Sequence, residues 1–370
     1  MLNIVHDNPP NLNVWPYTKI YLHSFCPRYN EQLPKFLHLI DNLSFHSSAD
    51  GLDNFIYPVI MLEPYIFARS LIANYNLRGG FWSYVSDSVI KGLREKRGWI
   101  IIEICMEPIS QTDFDSVIDS LSDSTTFPND RILINVTSPY LAAVSEKVLN
   151  YPSFQEISCL YQTLRPGLYK SRGICSCNPY RLKKASYPHK RFLLLNNYID
   201  FPSAYIFAKY ARKYPDSFLD SSCKVYKSKD KSPNFLLLPE AIFATDLNIV
   251  MEAYDDNEMI DYPFVTEKTY RNIKYKKPFI IMGQHHILAS LHKQGYKTFH
   301  PLIDESYDTI KDTKLRSLAV LREIVRLRQM TDDEWYRLIE NCKPILEHNH
   351  NNLRRRIKQT SAWLEGLKDL

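Results

Sequence analysis

Residues 261–283 read Asp261-Tyr-Pro-Phe-Val-Thr-Glu-Lys-Thr-Tyr-Arg-Asn-Ile-Lys-Tyr-Lys-Lys-Pro-Phe-Ile-Ile-Met-Gly283. The stretch divides into a loop, a helix with Thr266 as its N-cap, a stop at Pro278 and a buried apolar strand ending in glycine. A Glu-Lys pair in the first turn of such a helix is well placed for a nucleotide diphosphate. The backbone N–H groups and the positive end of the helix dipole attract phosphate, Lys268 adds a full charge, and Glu267 can accept bonds from ribose hydroxyls. Taken alone, Thr-Glu-Lys is also ordinary capping followed by a solvated cation. The strand-helix-strand setting favours the donor reading.

Outward from that core, the pattern is an aromatic, Val or Ile, Thr-Glu-Lys, an aromatic two residues on, Arg-Asn, and an apolar run closing on Gly. Here these are Phe264, Val265, Thr266, Glu267, Lys268, Tyr270, Arg271, Asn272 and Pro278 through Gly283. The segment resembles the donor-binding motif of the alpha-1,3-fucosyltransferases and of related glycosyltransferase-like proteins of phages and large viruses. Ile249-Val-Met-Glu252 resembles that family's strand ending in Glu. The resemblance spans roughly residues 190–310. It implies contacts from Glu267 to the donor's ribose and from Lys268 to its phosphates. Thr266, Arg271, Glu252, Gly283, His285 and Asn196 complete the expected donor site. It also implies a GT-B architecture, with a nucleotide-diphosphate sugar of UDP or GDP type as donor substrate and no other cofactor. One departure stands out. The family carries a basic cluster after the strand that opens its second domain, whereas no Arg or Lys follows Asn196 here until Lys209. Lys190, Arg191 or Arg271 is left to supply that charge.

The rest of the chain fits an α/β protein of two Rossmann-like, doubly wound domains with a C-terminal helical tail. At 370 residues it is too long for one typical core. Residues 19–23 and 55–61 read as strands, the second an edge or irregular one because of Pro58. Residues 63–75 read as a helix, and 98–105 as a strand buried on both faces. Thr112 is expected to cap a helix through Leu121, followed by a strand at 131–136 and a helix after Pro139. That succession predicts a parallel sheet. The second half restarts with strand 191–196, helix 203–214 and strand 248–251. After the quoted motif come a helix at 284–294, Gly295 at its C′ position, and a short strand at 297–299. The expected domains are 1–164 for the acceptor, a linker at 165–190, 191–330 for the donor, and helices at 331–370 packing back on the first domain. Thr331 and Glu334 form a capping box, and Trp335, Leu338, Ile339, Cys342, Ile345 and Leu346 make one apolar face. Leu353, Ile357, Trp363, Leu364 and Leu367 indicate a final helix.

Sugar transfer with inversion needs a carboxylate to take the acceptor's proton and positive charge for the leaving diphosphate. Glu103 lies in the strongest strand of the first half and Glu107 follows it. Glu107, just past its end, is the candidate base, with Asp87 as runner-up. Asp113-Phe-Asp115 has the form of a metal-nucleotide site, but it falls in the first turn of a helix, where acids suit the dipole. No obligatory metal is expected. Cys175-Ser-Cys177 lacks a second ligand pair at zinc spacing, and the seven cysteines read as reduced thiols. His285-His286 follow Gly283 near the expected donor cleft, while His348 and His350 have no partner motif. No Walker loop, Gly-x-Gly-x-x-Gly or Gly-x-Ser-x-Gly is present, which leaves P-loop kinases, common dehydrogenases and hydrolases without support.

The net charge of +5 is mild. No apolar run reaches the ~20 residues of a bilayer span, and the first residues lack a signal-peptide pattern, so a cytoplasmic address and no membrane partner are expected. The partner is a nucleotide sugar. The acceptor expected from the basic segments (seven Lys or Arg within 165–190, and Arg354-Arg355-Arg356) and from abundant aromatics is a hydroxymethylated pyrimidine in double-stranded DNA, flipped into the enzyme. A glycan, lipid or small molecule is the alternative. A non-catalytic nucleic-acid-binding protein on the same fold is the other reading.

Overall fold

A computed structural model describes residues 2–5, 43–61, 85–104, 109–122, 131–136, 148–149, 189–195, 202–220, 242–252, 260 and 262–366. The first half contributes β1 (Leu2–Val5), β2 (Leu43–His46), β3 (Phe55–Met61), α1 (Asp87–Arg94), β4 (Gly98–Ile104), α2 (Gln111–Ser122), β5 (Ile132–Val136) and β6 (Val148–Leu149). Its strands form one parallel sheet in the order β2-β1-β3-β4-β5-β6. Ile100, Ile101 and Ile102 are successive residues of β4 and all fully buried, so both faces of the sheet are covered there. The Phe55 ring fills the space that a Cβ on Gly92 or Gly98 would enter, which draws α1 onto the sheet.

The expected edge position of 55–61 is corrected: β3 lies inside the sheet, between β1 and β4. Ile56 pairs with Ile4 of β1 on one side, and Pro58 pairs with Ile101 of β4 on the other. The cap of α2 is Ser110 rather than Thr112, its Oγ accepting from the N–H of Asp113 at 3.1 Å. The expected strand at 19–23, the helices at 63–75 and after Pro139, and linker residues 165–188 lie outside the described residues.

The second half supplies β7 (Lys190–Leu195), α3 (Pro202–Lys213), β8 (Phe218–Asp220), β9 (Thr245–Met251), α4 (Glu267–Lys274), β10 (Phe279–Met282) and α5 (Ile287–Lys293). A 3-10 turn (Ser306–Thr309), α6 (Thr313–Arg328) and α7 (Asp332–Gly366) follow. Its four strands are parallel in the order β10-β9-β7-β8. The chain thus adds β8 on one side of β7 and β9 and β10 on the other. In open α/β sheets ligands bind outside the strand carboxyl ends at such a reversal. The first sheet has the same kind of reversal, between β1 and β3.

Three expectations here are revised. The helix expected at 284–294 begins only at Ile287, because His286 takes a left-handed conformation (φ 63°). Its first turn is capped from a distance, as the Asp308 carboxylate accepts from the N–H groups of Leu288 (2.9 Å) and Ala289 (3.2 Å). Residues 297–299 are not a strand. The Asn349 amide takes the place of a neighbouring strand, accepting from Lys297 N–H at 2.7 Å and donating to Lys297 C=O at 2.8 Å. The tail is one 35-residue helix, with Pro344 inside it. Thr331 and Glu334 do form the capping box, and Gly295 holds the C′ position of α5 with φ 81°.

Contacts divide the chain into two compact units. One comprises Met1–Ile157, Glu258–Tyr262 and Arg356–Leu370, and the other Ser158–Asn257 and Pro263–Arg355. Among the described residues no helix is long and apolar enough to cross a membrane.

Candidate functional site

The quoted motif runs through α4 and β10, and β10 pairs with β9 in the second sheet. Hydrophobic residues seat it: Phe264, Val265, Tyr270 and Ile273 are buried, as is every residue of β10. The motif's Asn272 ties helix to sheet. Its side chain accepts from the Asn248 amide of β9 and donates to the Lys268 carbonyl at 2.9 Å. Asn248 in turn accepts from the Thr245 hydroxyl at 3.1 Å.

Glu252 sits one residue past β9, 8% exposed. Its carboxylate accepts from Thr266 N–H at 3.2 Å, from the Thr266 hydroxyl, and from the Thr269 hydroxyl at 2.6 Å. A buried carboxylate therefore already occupies the positive end of α4. The same Thr266 oxygen caps the helix by accepting from Lys268 N–H at 3.3 Å, and it also accepts from Lys268 Nζ at 3.3 Å. The Thr269 and Tyr270 N–H groups bond to the Thr266 carbonyl. The expectation that backbone donors would receive phosphate is corrected: most of the first-turn N–H groups are satisfied within the chain. Positive charge at this place comes from side chains instead. Lys268 (7% exposed) and Arg271 (3% exposed) lie within the first two turns of α4. Glu267 is the first residue of that helix.

Gly283 follows β10 directly, at a place where a Cβ would come within 3.1 Å of the Glu252 Cβ and 2.9 Å of Ile287 Cδ1. Glycine is what lets Glu252 approach the backbone there. The Gly283 carbonyl accepts from Arg316 Nε at 2.9 Å, and the same guanidinium donates to the carbonyls of Ile310 and Lys311 and to the Thr313 hydroxyl. Gln284, also buried, accepts from Phe264 N–H at 2.9 Å and so pins the loop leading into the motif. His285 follows, half-buried, its ring 4.9 Å from that of the exposed His286.

The structure thus brings together Glu252, Thr266, Lys268, Arg271 and Gly283 around one strand-helix-strand unit. Asn196, one residue past β7, and Glu107 lie outside the described residues. Asp87 is the exposed first residue of α1, a position where an acid suits the helix dipole. Asp113 and Asp115 lie on α2, and among the described residues no group of three or more His, Cys, Asp or Glu could hold a metal ion. Arg191 does not supply the missing basic cluster. It lies near the amino end of β7, donates to Met330 C=O at 2.7 Å, pairs with Asp332 and stacks over the Trp335 ring at 5.2 Å. The Trp335 indole donates to Asp246 at 2.8 Å, so this group anchors the start of α7 to the sheet.

Sequence reasoning missed Thr269, Gln284 and Arg316. Thr269 carried a signal, since the spacing of Thr266 and Thr269 puts two hydroxyls on one side of a helix start. Arg316 carried one too, lying in register with Val320, Ile324 and Leu327 on what is otherwise the apolar stripe of α6. Gln284 carried none.

No family model matches the chain, and no curated protein matches it. Among solved structures, the crystal structure of an alpha1,3-fucosyltransferase is similar over 90% of this chain and 83% of that chain, with 11% sequence identity and a TM-score of 0.39. A likeness this loose transfers neither a residue's role nor an activity.

Proposed function

We propose that the chain is a glycosyltransferase that binds a nucleotide-diphosphate sugar at the carboxyl end of the second sheet and transfers the sugar to a hydroxyl acceptor. One observation carries the reading. The order reversal between β7 and β9 is bordered by Glu252 and by the start of α4, where the motif's two cations, Lys268 and Arg271, are buried together. In this reading Lys268 and Arg271 face the diphosphate, Glu267 accepts from the ribose hydroxyls, and Glu252, Thr266 and Gly283 hold the helix and strand ends in place.

Transfer breaks the bond from the anomeric carbon to the diphosphate oxygen, and that oxygen leaves with the electron pair. The two cations stabilise the charge that develops on it. A carboxylate takes the acceptor's proton as the new carbon–oxygen bond forms, and Glu107 is the proposed base, with inversion and without a metal. The acceptor is proposed only as a hydroxyl. Arg354 and Arg355 lie on an exposed face of α7, with Arg355 donating to Asn352 at 2.6 Å, and nothing among the described residues favours DNA.

Release of nucleotide from a panel of UDP- and GDP-sugars, with and without hydroxyl acceptors, tests the reading. The expected result is turnover of one donor class, lost in Lys268→Ala. A panel without turnover, or turnover unaffected by that substitution, would contradict it.

A further inference from the structure

We propose that Thr266 is a positioning residue that presets the ammonium group of Lys268 for the donor's diphosphate; this rests on the donor-site reading above. An N-cap hydroxyl ordinarily serves one backbone N–H. Here the Thr266 hydroxyl serves three partners at once, donating to the Glu252 carboxylate and accepting from both Lys268 N–H and Lys268 Nζ. Because a carboxylate can only accept, the hydroxyl hydrogen must point at Glu252, which leaves the oxygen lone pairs for Lys268. Glu252 is itself fixed by the Thr266 N–H and the Thr269 hydroxyl. Each link orients the next, from β9 through Thr266 to the lysine.

A lysine side chain loses much rotamer freedom when a ligand orders it. An ammonium group already held spares the ligand that loss, and the gain appears as affinity for the charged part of the donor alone. The hydroxyl is the essential group. Serine keeps it, whereas valine keeps the branched shape and removes it.

The experiment is calorimetric titration of UDP, GDP, uridine and guanosine into the wild type, Thr266→Ser and Thr266→Val, with thermal melting of each variant alongside. Thr266→Val is expected to weaken binding of the diphosphate about tenfold, as for loss of a hydrogen bond to a charged group. The matching nucleoside and the Thr266→Ser variant should each stay within about twofold of their wild-type values. A role confined to helix stability would weaken nucleoside and diphosphate alike, and that result overturns the proposal. Diphosphate binding by Thr266→Val equal to wild type overturns it too, leaving the donor site standing. Failure of the wild type to bind either diphosphate overturns the donor-site reading and this inference with it. A second measurement needs no variant. Crystals of the wild type, free and with UDP or GDP, should place Lys268 Nζ within about 1 Å of the same position, and a larger swing contradicts presetting.

Discussion

At the scale of single residues, the carboxylate of Glu252 decides how the site is built. Its three donors come from two threonines of one helix start. Glutamine at this position has one acceptor oxygen, so at least one buried donor loses its partner. Glu252→Gln is expected to cost about 1–3 kcal/mol of stability, read as a lowered urea midpoint with an unchanged slope. Glu305 makes a second residue-level case. Burial pushes its carboxyl above the usual range, even though the Thr298 hydroxyl (2.6 Å) and Phe299 N–H (2.7 Å) donate to it. An acid with a raised folded pKa takes up its proton before the unfolded chain does as the pH falls. Its contribution to stability is therefore fully present below the unfolded value of about 4.3 and is lost as the pH rises through the folded pKa. Unfolding free energies of wild type and Glu305→Gln, measured from pH 7 down to pH 4, should differ progressively in favour of the wild type. A difference that shrinks toward pH 4 would refute the assignment. The Cys342 thiol, buried and pushed up to about 12, is expected to stay inert toward thiol reagents in the folded protein.

Elements were legible where pattern and local caps agree. Thr266 capping α4 and the apolar run to Gly283 are local facts, and β10 falls where the residues predicted. By contrast, α4 closes at Lys274 with Lys276 left-handed (φ 51°), ahead of the stop expected at Pro278. Two of the misreadings share a physical cause, a backbone satisfied from far along the chain. Residues 297–299 have a strand-like composition, yet their partner is the Asn349 side chain. The first turn of α5 is capped by Asp308, some twenty residues on. No window of local sequence contains such partners. Asn349→Ala should cost about 1–3 kcal/mol and speed hydrogen exchange at the Lys297 amide. Unchanged exchange there would show that the pairing contributes little. The Glu252 clamp was half-legible: the strand ending in Glu was read, but its closure onto Thr266 and Thr269 depends on how β9 meets α4 in space.

For the whole molecule, two parallel sheets follow from alternating buried strands and helices, and that much was readable from β-branched runs such as Ile100–Ile102. The position of Pro58 inside a sheet was not, because it depends on which strands flank β3 and not on β3's own residues. The unit boundary falls within α7, between Arg355 and Arg356, while the candidate donor residues from Pro263 to Arg316 and Glu252 all belong to the second unit. Ending the chain at Arg355 is therefore expected to lower the overall melting temperature and leave nucleotide affinity within about twofold. A large loss of affinity would mean that donor binding does not reside in the second unit.

The central claim is that the start of α4 receives a nucleotide diphosphate. Calorimetric titration of UDP and GDP into the wild type, Glu267→Ala and Lys268→Ala tests it most directly. The account predicts micromolar binding of one nucleotide, weakened at least about tenfold in each variant. Binding of neither, or binding that both substitutions leave intact, would contradict it.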